Sequence, residues 1–291
     1  MKKSSKKKNQ LFHWMLLLPT LLFLGVFLVA PLLFLIVLSF RDVDNMLIVL
    51  DSYSFAHYIE VFTSAIYVDT ILSTIWMAVI TTVLCLLLAY PAAYLLVRAP
   101  NRKLRALFYI MLVSPLLTSV VIRTFAWIVL LAQNGLINEI LLKLNIIAEP
   151  LSLLWNMKAV IIAYVQVMLP FAVLPIATSL SDLNPNLRNA SMSLGAGRIE
   201  SFFKVTLPLT IPGIITGAII VFSLAAGSYI TPLLVGGRMQ PILPLSIYQQ
   251  VMQVFNLPLA AAMSISLLAI VFIVVGLLGL VLKRWESRMH G

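Results

Sequence analysis

Six apolar runs, each long enough to cross a bilayer as a helix, decide what this chain can fold into. They lie at about residues 14–40, 70–97, 107–131, 159–180, 211–234 and 260–282. About 20 apolar residues at 1.5 Å rise per residue match the hydrocarbon core. Inside that core every backbone N–H and C=O needs a partner within the protein, and a helix supplies it locally. The expected fold is therefore all-α: an integral membrane protein with six transmembrane helices. Composition agrees, with 62% hydrophobic residues, 10% charged residues and a mean hydropathy of +1.05. The single cysteine, Cys85, lies in an apolar run. It excludes an internal disulfide framework and reads as a small buried hydrophobe.

Charge sets the sidedness. Residues 1–13 form a tail with Lys2, Lys3, Lys6, Lys7 and Lys8, suited to an anionic membrane face. The first run is too long for a signal-peptide core and lacks a small-x-small cleavage site. It reads as an uncleaved first span at 14–40, with a kink at Pro31. Arg98, Arg102, Lys103 and Arg105 crowd the loop after run two, and Lys283, Arg284 and Arg288 lie in 283–291. The segment between runs one and two carries Asp42, Asp44, Asp51, Glu60 and Asp69. By the positive-inside rule both termini are cytoplasmic. The net charge of +10 thus concerns membrane topology, and no nucleic-acid partner is expected.

Between runs four and five lies a stretch that cannot span. Asn184 suits an N-cap and Pro185 the first helical position. Leu187, Ala190, Ser191 and Leu194 then share one face, and Gly195 suits a left-handed helix end. A second short helix follows, with Ile199, Phe202 and Phe203 on one side, and Pro208 is expected to stop it. Two short amphipathic helices joined at a glycine can present a knob to another protein. Elsewhere, Asn134-Gly135 marks a turn. Leu136, Ile137, Ile140, Leu141 and Leu144 suggest an amphipathic surface helix, and Leu243 to Phe255 a second short one.

The 185–208 stretch resembles the cytoplasmic loop of ABC-importer permeases, with its Glu-Ala-Ala-x3-Gly-x9-Ile-x-Leu-Pro pattern. Here it reads Asn189-Ala190-Ser191, then Gly195, then Val205-Thr206-Leu207-Pro208 at the same spacing. Asn189 stands for Glu, Ser191 for the second Ala and Val205 for Ile. From Tyr67 to Leu282 the chain resembles the type-1 ABC permease domain (67–282), with the first span as an added helix. The run Val121-Ile-Arg-Thr-Phe-Ala-Trp127, followed by Asn134-Gly-Leu-Ile-Asn138, is similar to permeases of the spermidine/putrescine group.

The resemblance implies coupling helices at 185–205 that dock on a separate ATPase (nucleotide-binding) subunit. Leu187, Asn189, Ala190, Ser191, Gly195, Ile199, Phe202, Leu207 and Pro208 would carry the coupling. The missing Glu bears on one polar contact or cap rather than on docking. Also implied are a second permease subunit, an extracytoplasmic solute-binding protein and a place in the bacterial cytoplasmic membrane. Polyamine is the expected cargo, with amino-acid-like or opine compounds, phosphonates and other small solutes left open.

The remaining residues say what chemistry to expect. No Gly-x4-Gly-Lys-Ser/Thr phosphate loop occurs, and Gly195-Ala-Gly197 is a turn. The chain is expected to bind no cofactor and to hydrolyse no ATP; ATP and Mg would sit on the ATPase. His13, His57 and His290 are scattered and expected at interfaces or in solvent, so no metal site is expected. No Asp or Glu falls within an expected span, which argues against an ion-coupled carrier and against an intramembrane enzyme with paired carboxylates. Arg123 lies inside run three, where a charge costs roughly 2.5–3.5 kcal/mol unless it meets protein or water. It reads as a pathway residue or as a structural anchor. Gln166, Ser223, Ser228, Tyr229 and Thr231 are pathway candidates, although Ser and Thr also serve helix packing. Pro170, Pro175, Pro208, Pro212, Gly213, Gly217 and Gly227 read as hinges or fixed kinks.

Overall fold

The computed structural model describes residues 17–44, 46–237 and 242–290; the basic tail at 1–13, with His13, lies outside them. Among these residues, five helices are long and apolar enough to cross a membrane: Leu17–Ser39, Ala65–Arg98, Val120–Lys143, Met157–Ser181 and Leu257–Trp285. A bent pair, Arg198–Leu209 and Ile211–Gly227, makes a sixth candidate when its two halves are counted as one span. The chain divides into two compact units. One holds residues up to Ser64 with Ile247–Ser266; the other holds Ala65–Ser246 with Leu267 onward.

In the first unit, α1 (Leu17–Ser39) keeps its apolar window unburied by protein, as suits a lipid-facing helix. Pro31 brings no N–H to its helix. A π-helical turn at Gly25–Val29 lies just before it. Run one is followed by an antiparallel hairpin, β1 (Arg41–Val43) and β2 (Val49–Tyr53), pairing Arg41 with Tyr53 and Val43 with Val49. Arg41 and Asp51 form an ion pair at 2.7 Å. Phe40 meets Phe55 edge-on at 5.2 Å, next to α2 (Ala56–Thr63). His57, expected at an interface or in solvent, is buried in α2. Val61 on the same face is fully buried, so helical periodicity carries the imidazole inward with it.

The second unit is built on three mutually packed helices: α3 (Ala65–Arg98), α7 (Met157–Ser181) and α10 (Ile211–Gly227). Small residues recur in the buried stripes of α3 and α10. On α3 these include Thr74, Ala78, Thr82, Cys85, Ala89 and Ala93. On α10 they include Gly213, Gly217, Ala218 and Ala225. Small residues let helix backbones approach where lipid removes the hydrophobic drive between helices. At the α7–α10 crossing a Cβ on Gly213 would lie 2.5 Å from Ser179 Oγ and 2.6 Å from the Pro175 carbonyl. α3 starts earlier than the run at 70–97 suggests, so Asp69 lies in its second turn, inside the helix rather than outside the span.

Run three is not one helix. Arg102–Val113 (α4) is followed by a 3-10 turn at Ser114–Leu117 and by Val120–Leu131 (α5). Pro115 has no N–H for the Met111 carbonyl; Ser114 Oγ donates to it at 3.4 Å instead. Because α4 begins at Arg102, that arginine, Lys103 and Arg105 are helical rather than in a loop. The Asn134-Gly135 turn leads into α6 (Leu136–Lys143). Asn138 there is fully buried. It donates to the carbonyls of Ala132 and Leu151 and accepts from Leu151 N–H at 2.9 Å.

Run five also breaks. α10 ends at Gly227, and the chain resumes in a π turn at Pro232–Gly236. Pro232 cannot donate to the Ser228 carbonyl; the buried Tyr164 hydroxyl donates to it at 2.6 Å. Removing that hydroxyl leaves a buried carbonyl unpaired, at a cost of ~1–3 kcal/mol. A Tyr164→Phe variant should therefore unfold several degrees earlier in a detergent thermal-shift assay, with unchanged membrane insertion. The Leu243–Phe255 expectation resolves into α11 (Leu243–Gln249) and a π turn at Gln250–Val254. Thr74 Oγ1 accepts from Leu243 N–H at 2.7 Å, tying the start of α11 to α3. The last run lies in α12 (Leu257–His290).

Candidate functional site

The stretch after α7 folds as a helical hairpin. Asn184 Oδ1 caps α8 (Pro185–Ser193), accepting from Asn186 N–H at 3.0 Å. Gly195 adopts φ +93°, in the region that glycine enters at no steric cost. The chain then re-enters helix as α9 (Arg198–Leu209). Ser191 Oγ and Ser201 Oγ lie 2.6 Å apart and bond the two helices to each other. Ser191 therefore faces α9, not outward.

Pro208 does not stop the second helix, contrary to expectation. A π turn at Phe202–Thr206 absorbs its missing N–H, and the helix runs on to Leu209. The break falls at Thr210, where α9 and α10 meet at 59°. Its cause is Pro212, which cannot donate to the Pro208 carbonyl. Trp285 Nε1 on α12 supplies that bond at 3.2 Å.

Three further contacts fix the hairpin to the bundle. Tyr90 Oη on α3 lies 3.0 Å from Thr210 Oγ1. Arg188 Nη1 donates to Tyr94 Oη at 3.1 Å. Phe202 meets the rings of Tyr90 and Tyr94 edge-on, at 5.6 and 6.2 Å. Phe202 thus packs inward, although the helical pattern puts it beside Ile199 and Phe203; the π turn shifts the register. Arg98 stacks over Tyr94 at 5.6 Å. A cavity of about 200 Å³, lined in part by Arg98, Asn184, Leu187 and Arg188, separates hairpin from bundle. Replacing Arg188 by alanine removes the tie to Tyr94. The expected result is faster trypsin cleavage within 185–205 at an unchanged expression level.

The hairpin exposes large apolar side chains among polar ones such as Asn189, Arg198 and Lys204. Leu194 is 89% exposed, Ile199 76%, Phe203 59% and Leu187 48%. Asn189 and Ala190 lie among them, exposed, and Leu207 and Pro208 sit half-buried at the base. Lys204 hydrogen-bonds Glu200 at 2.7 Å. The pair holds the Glu200 carboxyl below the ordinary carboxylate range and the Lys204 ammonium above its own. Tyr90, Tyr94, Ser201 and Trp285 are not singled out by the sequence patterns. The spacing of Tyr90 and Tyr94, one helical turn apart beside Arg98, is the signal that points to two of them.

The pathway candidates are carried by α5, α7, α10 and the break that follows α10. Trp127 Nε1 on α5 donates to Gln166 Oε1 at 3.3 Å. Arg123 sits one turn before Trp127, and its Nε and Nη1 are buried without a hydrogen-bond partner among the described residues. Ser228 and Tyr229 lie at the break after α10. The Thr231 hydroxyl is buried, and Ser223 Oγ bonds back to Ile219. His, Cys, Asp and Glu form no metal-holding group among the described residues.

Membrane-crossing helices that carry a clamped hairpin with an apolar crest define a membrane subunit able to engage a second protein. The chain belongs to the family of binding-protein-dependent transport system inner membrane components, whose model matches residues 85–287. It is 34% identical over 261 residues to the spermidine/putrescine transport system permease protein PotB of Escherichia coli (strain K12), covering 90% of this chain and 93% of the relative. Two crystal structures share its fold. A bacterial ABC transporter involved in the import of the acidic polysaccharide alginate matches with a TM-score of 0.76 at 19% identity, over 98% of this chain and 99% of that one. A bacterial alginate ABC transporter in complex with alginate pentasaccharide-bound periplasmic protein gives 0.75 at 17% identity, over 96% of each chain. The protein is an ABC-importer permease, a multi-pass component of the bacterial inner membrane.

Proposed function

We propose that this permease carries polyamines inward, driven by a separate ATPase. The observation that carries the cargo is the 34% identity to a spermidine/putrescine permease across 90% of the chain. Arg123 repels a polycation, and the bundle stripes offer no carboxylates. Selection therefore belongs to an extracytoplasmic solute-binding protein. The alginate transporter crystallised with its periplasmic protein supports such a partner.

The hairpin supports the drive. Leu194, Ile199 and Phe203 form an apolar crest of the kind that fills a groove on another protein. ATP and Mg bind to the ATPase and no cofactor binds to this chain. A second permease completes the pathway. The termini and hairpin face the cytoplasm, and Arg123, Ser228 and Tyr229 border the solute route. In this reading the permease domain spans 67–282, with coupling helices at 185–205, and α1 is an addition to it.

The test is uptake of labelled spermidine into cells lacking other polyamine importers and expressing this chain with its partners. Uptake should persist when the proton gradient is collapsed and stop when ATP is depleted. Unlabelled amino acids or phosphonates should not compete. Competition by one of these, with no displacement by spermidine, would reassign the cargo. Affinity purification of the tagged chain should recover the ATPase, and disruption of Leu187 to Phe203 should lose it.

A further inference from the structure

Beside the base of the hairpin, α3, α4 and α7 enclose two adjoining cavities. The first, about 700 Å³, is open and lined by Arg102, Arg105 and Tyr109 of α4 together with residues of α3 and α7. The second, about 340 Å³, is lined by apolar side chains, Met111, Leu112 and Val173 among them, with Gln166 as its polar exception. Leu96 lines both. We propose that together they bind one anionic phospholipid, its headgroup on Arg102 and Arg105 and an acyl chain in the apolar cavity.

The order of side chains along α4 matches the order of groups along a lipid. Arg102, Arg105, Tyr109 and Leu112 recur at helical spacing, so they form one stripe from charged through amphipathic to apolar. From Arg102 to Leu112 the stripe covers about 15 Å at the α-helical rise. No carboxylate lines either cavity. Arg105 gives one N–H to the Val97 carbonyl at 3.1 Å, and a guanidinium carries further donors for a phosphate. Basic pockets between transmembrane helices hold anionic headgroups in this way. A free anion would leave the apolar cavity unused. An apolar partner helix would cover two guanidiniums without neutralising them. A phospholipid satisfies both ends. Ser181, the last residue of α7, lines the headgroup cavity and also the cavity beneath the hairpin.

The experiment uses the full chain purified in mild detergent with its transporter subunits, exchanged into mixed phosphatidylglycerol and phosphatidylethanolamine. Native mass spectrometry counts the lipids retained. Phosphatidylglycerol should be retained over phosphatidylethanolamine by roughly fivefold or more, the scale of one basic side chain at a membrane surface. Arg102→Ala with Arg105→Ala should bring the ratio to parity. Val173→Trp, which fills the apolar cavity and keeps both arginines, should lower retention of either lipid. A photo-reactive residue at Met111 should capture lipid. Equal retention in the wild type, an unchanged ratio in the double arginine variant, wild-type retention in Val173→Trp, displacement by inorganic phosphate alone, or capture of a protein subunit at Met111 would each overturn the assignment.

Discussion

Replacing Gly195 by valine should abolish ATP-driven uptake while the permease still assembles in the membrane. The position has φ +93° and no heavy atom within 4 Å of an added Cβ. The penalty is therefore one of backbone, not of space. A side chain held at positive φ costs about 1–2 kcal/mol, and more for a β-branched residue. The link between α8 and α9 relieves that strain by changing its angle, which displaces Leu194 from Ile199 and Phe203 on the crest. In proteoliposomes with the ATPase, solute-stimulated uptake should fall at least tenfold while ATP hydrolysis continues. Gly195→Asn supplies the control, because asparagine tolerates positive φ; it should retain most of the coupling. Equal loss in both variants would show that the open face around Gly195 matters and the backbone does not.

Substitution of Gly213 should act on the bundle itself. Even the single carbon of Gly213→Ala meets Ser179 Oγ at 2.5 Å and the Pro175 carbonyl at 2.6 Å. A backbone carbonyl in a packed helix does not yield as a side-chain tip does. Overpacking of this kind costs ~1–3 kcal/mol, and Gly213→Leu should exceed that range. Size-exclusion profiles in detergent should show a lowered melting temperature for Gly213→Ala and loss of the monodisperse peak for Gly213→Leu. Adding Ser179→Gly should restore part of the alanine variant's stability, because it removes the Oγ and Cβ contacts and leaves the carbonyl contact. A wild-type melting profile for Gly213→Ala would contradict the close crossing.

The two glycines differ in how far the amino-acid sequence alone reveals them. Gly195 is legible, together with Asn184 and Pro185, because caps and turns depend on single residues of restricted conformation. The close approach at Gly213 depends on which helix crosses it, and no local pattern holds that. Run length and charge bias carry the membrane class, since both are local sums over many residues. Hydropathy does not see the breaks at Pro115 and Pro232. An apolar window registers side chains, and the breaks come from absent N–H groups. Phe203 keeps the expected outward face, but Phe202 turns inward onto Tyr90 and Tyr94, two rings of another helix. The bonds from Tyr94 to Arg188 and from Trp285 to the Pro208 carbonyl join residues far apart in the chain, beyond the reach of helical spacing.

The Trp285 bond has a practical consequence for anyone handling this permease. The indole reaches the Pro208 carbonyl from the C-terminal part of α12, beyond the last expected apolar residue, Leu282. A truncation or an epitope insertion just after that run would spare every lipid-facing position and still unseat the hairpin. Affinity handles and fluorescent fusions are therefore best placed downstream of Trp285 with a spacer, and a shortened chain that inserts normally is no proof that its transport machinery is whole.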